Sequence, residues 1–140
     1  MRFLLLLILP IFVYSNTWIL SYGYSKHFVH YHKNGKWNED HGLFGIMQDI
    51  NKTKYADAIQ ISRFKNSMFN WTYFATAIKR YKVTKNIYYG FQYGFISGYE
   101  LNNGNYFPIA TPLLGVEYDN FAIDISSGGR EFIAVFRIGF

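Results

Sequence analysis

The chain has 140 residues, half of them hydrophobic, and contains 13 Tyr, 14 Phe and 3 Trp, yet its mean hydropathy is only −0.05; this length predicts a single domain. The net charge of +5 comes without a basic helix or an RNA-binding aromatic motif, which argues against nucleic acid as a partner. Cysteine is absent, so no disulfide framework is expected and an exported chain would need no oxidation step.

The aromatic content is higher than the core of a soluble domain of this size requires. Tyr, Phe and Trp make up 21% of the residues, and no long apolar run follows the first residues of the chain. A small β-barrel with its apolar face toward lipid uses many rings, because rings also anchor it at both membrane interfaces. The composition therefore favours a membrane barrel.

The N-terminus, MRFLLLLILPIFVYSNTW, has the organisation of a secretory signal peptide. One cation, Arg2, precedes an apolar stretch over residues 3–13. That stretch is shorter than the roughly 20 apolar residues that a membrane-spanning helix needs. We therefore predict a signal peptide over 1–15 and a barrel domain over 16–140, the alternative being an uncleaved N-terminal anchor.

Strand-length segments with two-residue alternation fill the rest of the chain, without a helix-period stretch or an internal repeat. Short turns between them alternate with connections that are mostly longer, as in barrels whose strands run up and down. The predicted fold is all-β, an eight-stranded antiparallel up-and-down transmembrane β-barrel with both chain ends on the periplasmic side. The predicted strands are 18–30, 42–50, 55–66, 71–82, 87–99, 107–118, 121–126 and 130–140.

The fifth predicted strand separates large and small side chains onto two faces. The rings predicted to face lipid are Tyr89, Phe91, Tyr93 and Phe95. The small or polar residues predicted to face the lumen are Gly90, Gln92, Gly94 and Gly98. An eight-stranded lumen is normally filled by side chains, so a run of glycines leaves room for a ligand such as a narrow acyl chain.

The first and last predicted strands follow the same alternation. In the first, the residues predicted to face outward are Leu20, Tyr22, Tyr24 and Phe28, and those predicted to face inward are Ser21, Gly23, Ser25 and His27. In the last, the outward residues are Phe132, Ala134, Phe136, Ile138 and Phe140, an ending that resembles the closing strand of bacterial outer-membrane barrels. The structural alternative is a soluble lipocalin-type barrel, which would turn its apolar face inward and leave the glycine face in water.

Four motifs stand out along the predicted barrel, and their order matters. YSKHF (24–28) lies near the end of the first strand, and KWNEDHGLFG (36–45) leads into the second. RFKNSMFNW (63–71) closes the third strand, and NYFPIATPLLGVEY (105–118) places two prolines in the sixth, where proline is tolerated only if a ladder bond is missing. In this order the chain resembles the PagP-like lipid A palmitoyltransferase family, over nearly the whole mature chain.

The resemblance implies an enzyme of the bacterial outer membrane. Members of the family move a palmitoyl chain from a phospholipid donor to lipid A, and the chain is expected to do so as a monomer without a cofactor or metal. The family's catalytic His corresponds to His27, and its Asp-Ser pair corresponds to Asn66 and Ser67. The implied roles are general base for His27, nucleophile or polar stabiliser for Ser67, and orienting group for Asn66. The family's amphipathic helix before the first strand has no counterpart here.

The resemblance also implies where an acyl chain enters and lies. In the family, unpaired prolines of the sixth strand mark the place where lipid enters sideways. Tyr106, Pro108 and Pro112 occupy the matching segment of this chain, and the inward glycines of the fifth strand would line the slot. The plain alternative is that the prolines only loosen the strand.

The replacement of the family's Asp by Asn66 is the main departure from the pattern. A carboxylate beside a His stabilises the imidazolium, whereas a neutral amide only orients the ring. In a Ser-His-Asp triad this change costs about 10⁴-fold in kcat. Three explanations stay open: Asn66 suffices because the site is not a true triad, Glu39 or Asp40 supplies the charge, or the chain has kept the barrel and lost the activity.

Each candidate also has a plain structural interpretation. His27 could fill the lumen, Asn66 and Ser67 could be ordinary turn residues, and the pair at 130–131 could be solvated. No carboxylate spacing predicts a metal site near the loop histidines, which are His30, His32 and His41. The alternative functions are a non-enzymatic small outer-membrane barrel, for adhesion or receptor blocking, and a lipid hydrolase on the same scaffold.

Overall fold

The computed structural model describes residues 16–28, 37–99, 105–129 and 131–140. In these ranges each strand pairs antiparallel with its neighbours in chain order and the last strand closes on the first. The predicted all-β, eight-stranded antiparallel up-and-down barrel is therefore confirmed. The strands are β1 (Thr17–His27), β2 (Phe44–Asp49), β3 (Ala58–Lys65), β4 (Trp71–Lys82), β5 (Ile87–Ile96), β6 (Phe107–Tyr118), β7 (Phe121–Ser127) and β8 (Glu131–Gly139).

Some predictions fall outside the described residues. They concern the signal peptide over 1–15, the loop histidines His30 and His32, and Arg130. Within the described ranges, no helix is long and apolar enough to cross a membrane.

The predicted division of β5 into two faces is confirmed. The outward rings Tyr89, Phe91, Tyr93 and Phe95 are between 38% and 55% exposed, whereas Gln92 is 8% exposed. The same alternation runs through β3, β4 and β8. Where a strand buries every second residue in this way, one set of side chains lines the lumen and the other forms the outer surface.

A β-bulge in β1 shifts the alternation by one residue. Leu20 pairs with Arg137 and Tyr22 pairs with Phe136, so Ser21 is an extra residue without a partner in β8. The predicted faces of Leu20 and Ser21 were therefore wrong: Leu20 is fully buried in the lumen and Ser21 is exposed. Beyond the bulge the predicted inward and outward positions are correct. A bulge inserts one residue and so exchanges the two faces of the strand on either side of it.

One end of the lumen is filled by side chains. Arg137, which is 1% exposed, forms an ion pair with Asp124 at 2.6 Å from Nε to Oδ2. Its guanidinium also contacts the Tyr88 hydroxyl and lies 4.6 Å from the centre of the Trp18 ring. We call this the closed end of the barrel, and the opposite end, where β1 and β3 finish, the site end.

Two seams of the barrel are only partly paired at the site end. β1 pairs with β2 only over residues 17–20; beyond them the loop before β2 joins β1 through an isolated bridge between Tyr24 and Asp40. β6 pairs with β7 only from Leu113 onward, while on its other side it pairs with β5 from Phe107. Residues 107–112 therefore have a partner strand on one side only.

Candidate active site

A cavity of about 820 Å³ occupies the lumen at the site end. Its walls are largely apolar and include Leu43, Phe64, Phe74, Ile96, Phe107 and Leu113. Toward the closed end it meets a group of polar side chains, Gln60, Ser62, Gln92, Asp124 and Ser126. The volume lies within the roughly 300–1,000 Å³ typical of small-molecule sites, so the barrel can hold a ligand above its filled lower half.

His27 and Ser67 meet at the rim of this cavity. His27 is the last residue of β1, and Ser67 lies in the turn that connects β3 to β4. The Nε2 atom of His27 lies 2.7 Å from the Oγ atom of Ser67. The two residues are 40 positions apart in sequence, and the contact brings together two of the residues selected from the sequence.

Asn66 holds the turn that carries Ser67. Its Oδ1 atom accepts hydrogen bonds from the backbone N–H groups of Met68 at 2.9 Å and Asn70 at 3.0 Å. Its Nδ2 atom donates to the carbonyl oxygen of Gly98 at 2.8 Å. Asn66 is fully buried, and these three bonds all go to the backbone. It therefore positions Ser67 through the turn, without a hydrogen bond to the His27 ring.

The segment Trp37-Asn38-Glu39 packs the first connection against this turn. The Trp37 ring stacks on the His27 ring with 4.7 Å between centroids and an interplanar angle of 6°. Asn38 donates from its backbone N–H to the Ser67 carbonyl oxygen at 3.0 Å and from Nδ2 to the Asn66 carbonyl oxygen at 3.2 Å. Trp37 thus fixes the plane of the imidazole, a contact that sequence reasoning did not anticipate.

Glu131 is the second residue that sequence reasoning missed. Its Oε2 atom lies 3.2 Å from Nε2 of His27, and its side chain is only 22% exposed. The suggestion that the pair at 130–131 is solvated is therefore wrong for Glu131. The available signal was the closing register: once β8 is paired with β1, Glu131 lies directly opposite His27, on the face predicted to point inward.

The two loop carboxylates proposed as alternative charges have other partners. Glu39 contacts Lys26 at 3.1 Å and the hydroxyl of Tyr24 at 3.3 Å. The hydrogen bond from Lys26 lowers the pKa of the Glu39 carboxyl. Asp40 is exposed, and its Oδ1 atom accepts a hydrogen bond from the backbone N–H of Gly42 at 3.3 Å. Among the described contacts, neither carboxylate bonds to the imidazole of His27.

His41 lies beside the same cavity. It is 3% exposed, and its Nδ1 atom donates to the carbonyl oxygen of Lys65 at 2.6 Å. Burial lowers the pKa of His41, so its ring is neutral at pH 7. In the part of the chain that the structure describes, no group of three or more His, Asp or Glu side chains is arranged to hold a metal ion.

The inward glycines of β5 allow its backbone to lie close to that of β4. A Cβ atom at Gly90 would lie 1.9 Å from the carbonyl oxygen of Lys79, and one at Gly94 would lie 2.1 Å from that of Ala75. Gly98 was predicted to lie in the fifth strand, but β5 ends at Ile96; its φ of +84° is one that L side chains rarely adopt. None of the three is among the residues that line the cavity. The space that their missing side chains leave is occupied by β4 and is not part of the predicted acyl slot.

The proline segment of β6 borders the open seam. Tyr106, Pro108 and Pro112 are exposed, with both prolines on the outer face and paired to β5. Proline has no N–H to give to a ladder, and residues 107–112 have no partner on the β7 side. Ala110, an exposed residue of this segment, also lines the cavity. At this residue the cavity borders the seam between β6 and β7.

No protein-family model matches the chain, and no curated protein matches it. The chemistry of the site must therefore be inferred from its own groups. An imidazole in contact with a hydroxyl can move a proton to or from an oxygen nucleophile, with the apolar cavity holding the substrate beside it. A carboxylate at the same ring nitrogen can stabilise the charge that results. This set of groups is suited to acyl transfer or ester hydrolysis.

Proposed function

We propose that the chain is an outer-membrane acyltransferase that moves a fatty acyl chain from a phospholipid to lipid A. The observation that carries the proposal is the 2.7 Å contact between His27 Nε2 and Ser67 Oγ at the rim of a mainly apolar cavity of about 820 Å³. A base, an oxygen nucleophile and a slot that excludes water are the parts that acyl transfer between lipids requires.

The outer surface supports a membrane location. Large aliphatic and aromatic side chains are exposed around the middle of the barrel, namely Ile46, Ile59, Ile61, Phe91, Leu114, Ile123, Ile125 and Phe136. Rings lie toward both ends: Phe28, Trp71, Tyr106 and Phe132 at the site end, and Tyr55, Tyr81, Tyr89, Tyr118 and Phe121 at the closed end. An apolar band between two aromatic girdles is typical of barrels that span a bilayer.

The seam between β6 and β7 supports entry of a lipid from the side. Over residues 107–112 no β7 partner covers the edge of β6, and Ala110 in this segment lines the cavity. An acyl chain that leaves the bilayer through this seam would reach the cavity without passing through water. The site end then faces the outer leaflet, where lipid A lies.

In the direct route a hydroxyl of lipid A attacks the carbonyl carbon of the phospholipid ester, and Nε2 of His27 accepts the hydroxyl proton. A new C–O bond forms, the ester C–O bond breaks, and the lysophospholipid leaves with the proton returned from Nε2. Ser67 then acts as a polar stabiliser. In the covalent route Ser67 attacks first and passes its proton through Nε2 to the departing lysophospholipid, which leaves an acyl-serine. The lipid A hydroxyl then attacks that ester, and its proton returns through Nε2 to Ser67. Neither route consumes a cofactor.

Mass spectrometry of lipid A tests the proposal. Cells that lack their own palmitoyltransferase would express the chain or its His27→Ala variant, with folding in the outer membrane checked for both. We expect an added acyl mass that is absent with the variant. Unmodified lipid A in the presence of the folded, unaltered barrel would overturn the proposal and leave a non-enzymatic barrel as the alternative.

A lipid hydrolase is a second candidate, because the contact between His27 and Ser67 would equally serve attack by water on an acyl-serine. The two functions differ in their products. A hydrolase releases free fatty acid from phospholipid and leaves the mass of lipid A unchanged. Extraction of free fatty acid from the same cells therefore separates hydrolysis from transfer.

A further inference from the structure

Glu131 is the only described carboxylate that bonds to the imidazole of His27, and it was not among the residues implied by the family resemblance. It begins β8 and is the register partner of His27 at the end of β1. Its Oε2 atom lies 3.2 Å from Nε2, while Asn66 directs its side chain into backbone hydrogen bonds. The negative charge beside the imidazole therefore comes from β8, the strand that pairs with β1.

Both partners of the ring use the same nitrogen. Ser67 Oγ and Glu131 Oε2 lie 2.7 Å and 3.2 Å from Nε2, whereas Nδ1 is buried without a hydrogen-bond partner among the described residues. In a Ser-His-Asp triad the carboxylate bonds to Nδ1 and the serine to Nε2. Here a proton that arrives on Nε2 is at once within hydrogen-bond distance of the carboxylate.

We propose that Glu131 is the positioning residue that stabilises the protonated form of His27 during acyl transfer, in the role that the family's Asp would otherwise fill. This role rests on the proposed function. As the attacking hydroxyl loses its proton to Nε2, the new N–H donates to Oε2 of Glu131 and the imidazolium forms next to a negative charge. When the leaving alkoxide takes the proton back, Glu131 returns to its starting state, so protons and charge balance over the cycle.

The other groups around the ring do not supply this charge. His41, whose pKa burial lowers, approaches from the connection before β2 as a neutral ring. Glu39 interacts with the backbone N–H of His27 and pairs its carboxylate with Lys26. Tyr99 lines the cavity, and burial together with the charge of Glu131 raises its pKa to about 12, so it stays neutral. Trp37 covers one face of the imidazole.

The variants that test the proposal are Glu131→Gln, which keeps the shape and removes the charge, and Glu131→Asp, which keeps the charge on a shorter side chain. The matched control is Glu117→Gln, which removes one charge from a partly exposed carboxylate 3.8 Å from Arg80, in β6 near the closed end. Each full-length protein would be refolded in lipid-containing micelles, with a labelled phospholipid as donor and lipid A as acceptor.

We expect Glu131→Gln to lower kcat by about 10- to 100-fold, which is part of the roughly 10²–10⁴-fold that general acid–base catalysis contributes, with little change in KM. A loss confined to kcat is expected because the carboxylate acts on the charge that develops on His27 during the reaction, and substrate binding does not depend on that charge. Glu131→Asp should recover part of kcat, and Glu117→Gln should retain both kcat and KM.

A second measurement does not depend on activity. In ¹⁵N NMR spectra of protein labelled at histidine, the Nε2 resonance of His27 should move in Glu131→Gln, because its carboxylate partner is lost, and should stay unchanged in Glu117→Gln. An unchanged Nε2 resonance, or a Glu131→Gln variant with the kcat of the unaltered protein, would overturn the role of Glu131. Absence of acyl transfer by the unaltered protein, with the Nε2 resonance still dependent on Glu131, would instead overturn the proposed function.

Discussion

The side chain of Asn66 makes three hydrogen bonds, and an Asp at this position could make only two of them. Its Oδ1 atom accepts from two backbone N–H groups, which a carboxylate oxygen can also do. Its Nδ2 atom donates to the Gly98 carbonyl, which no carboxylate can do. At the scale of single residues, the amide at 66 thus stabilises the turn, and the carboxylate beside His27 is that of Glu131.

Asn66→Asp should therefore reduce stability and fail to raise acyl transfer. The substitution would put a carboxylate oxygen against the Gly98 carbonyl oxygen at a fully buried position. The free energy of unfolding should fall by about 1–3 kcal/mol, the usual penalty for a buried polar group without a partner. Urea unfolding of the refolded barrel measures this loss.

The matched control is Asn70→Asp, which makes the same chemical change on an exposed residue of the same turn and should leave the unfolding midpoint nearly unchanged. An Asn66→Asp variant that is equally stable and more active would contradict this expectation and show that a carboxylate at 66 assists the site.

His41 should make the stability of the barrel depend on pH. Burial lowers its pKa in the folded state from the ordinary value of 6.5, so between the two values the unfolded chain binds more protons than the folded one. Stability is therefore fully present above about pH 6.5 and falls as the pH drops through that value toward the lower folded pKa. His41→Gln, which cannot titrate, should lose less stability between pH 7.5 and pH 5.5.

Urea midpoints of the two proteins at both pH values check this expectation. If the unaltered protein and His41→Gln lost the same stability on acidification, another group would be responsible.

At the scale of strands, the features that depend on nearby residues were predicted from the sequence, and those that depend on a distant strand were not. The alternation of apolar and polar residues predicted β4 and β6 at their observed bounds, because a strand that buries one face shows this pattern in its own sequence. The bulge at Ser21 was not predictable, because the residue itself is neither Gly nor Pro. The bulge is a shift in the pairing register between β1 and β8, and the sequence of β1 alone does not contain that register.

The residues of the candidate site also fall into those that the sequence predicted and those that it did not. His27 and Ser67 lie at the ends of two strands, so strand order alone brought them to one rim. Glu131 could be found only from the pairing of the first and last strands, and Trp37 only from the path of a connection. The glycines of β5 were assigned to a ligand slot, but their role is set by how closely β4 approaches, which no local pattern records.

The half-paired β6 should exchange its amide hydrogens unevenly. Residues 107–112 pair with β5 alone, whereas residues 113–116 pair with β5 and β7. Because local opening is easier where a strand has one neighbour, amides within 107–112 should exchange faster than those within 113–116. Hydrogen–deuterium exchange with mass spectrometry tests this, with β5 as the internal reference because it is paired on both sides throughout. Equal protection in both halves of β6 would mean that the seam is closed.

At the scale of the whole molecule, the lumen has two halves with different tasks. The half at the site end is a cavity of about 820 Å³, whereas the other half is packed around the ion pair of Arg137 and Asp124. Trp18 and Tyr88 complete this packing from β1 and β5. One half has space for a ligand, and the other links strands that are not neighbours in the barrel, such as β5 and β8.

Asp124→Ala should be strongly destabilising, because it leaves the guanidinium of Arg137 buried without its counter-charge. Breaking such a buried pair costs about 3–5 kcal/mol, whereas replacing both partners by apolar side chains costs much less. The double variant Asp124→Leu with Arg137→Met should therefore recover most of the loss in urea unfolding. Glu39→Ala, at an exposed ion pair with Lys26, should change the midpoint little. A single variant as stable as the parent would show that the pair contributes nothing.

The packed half of the lumen also has an electrical consequence. In the membrane location that we propose, a barrel whose described interior is filled by Trp18, Tyr88, Asp124 and Arg137 would offer hydrated ions no continuous path. In a planar bilayer such a protein should give no steady single-channel current, unlike a porin of open bore. Under that proposal, many copies in an envelope would add no leak for small toxic solutes.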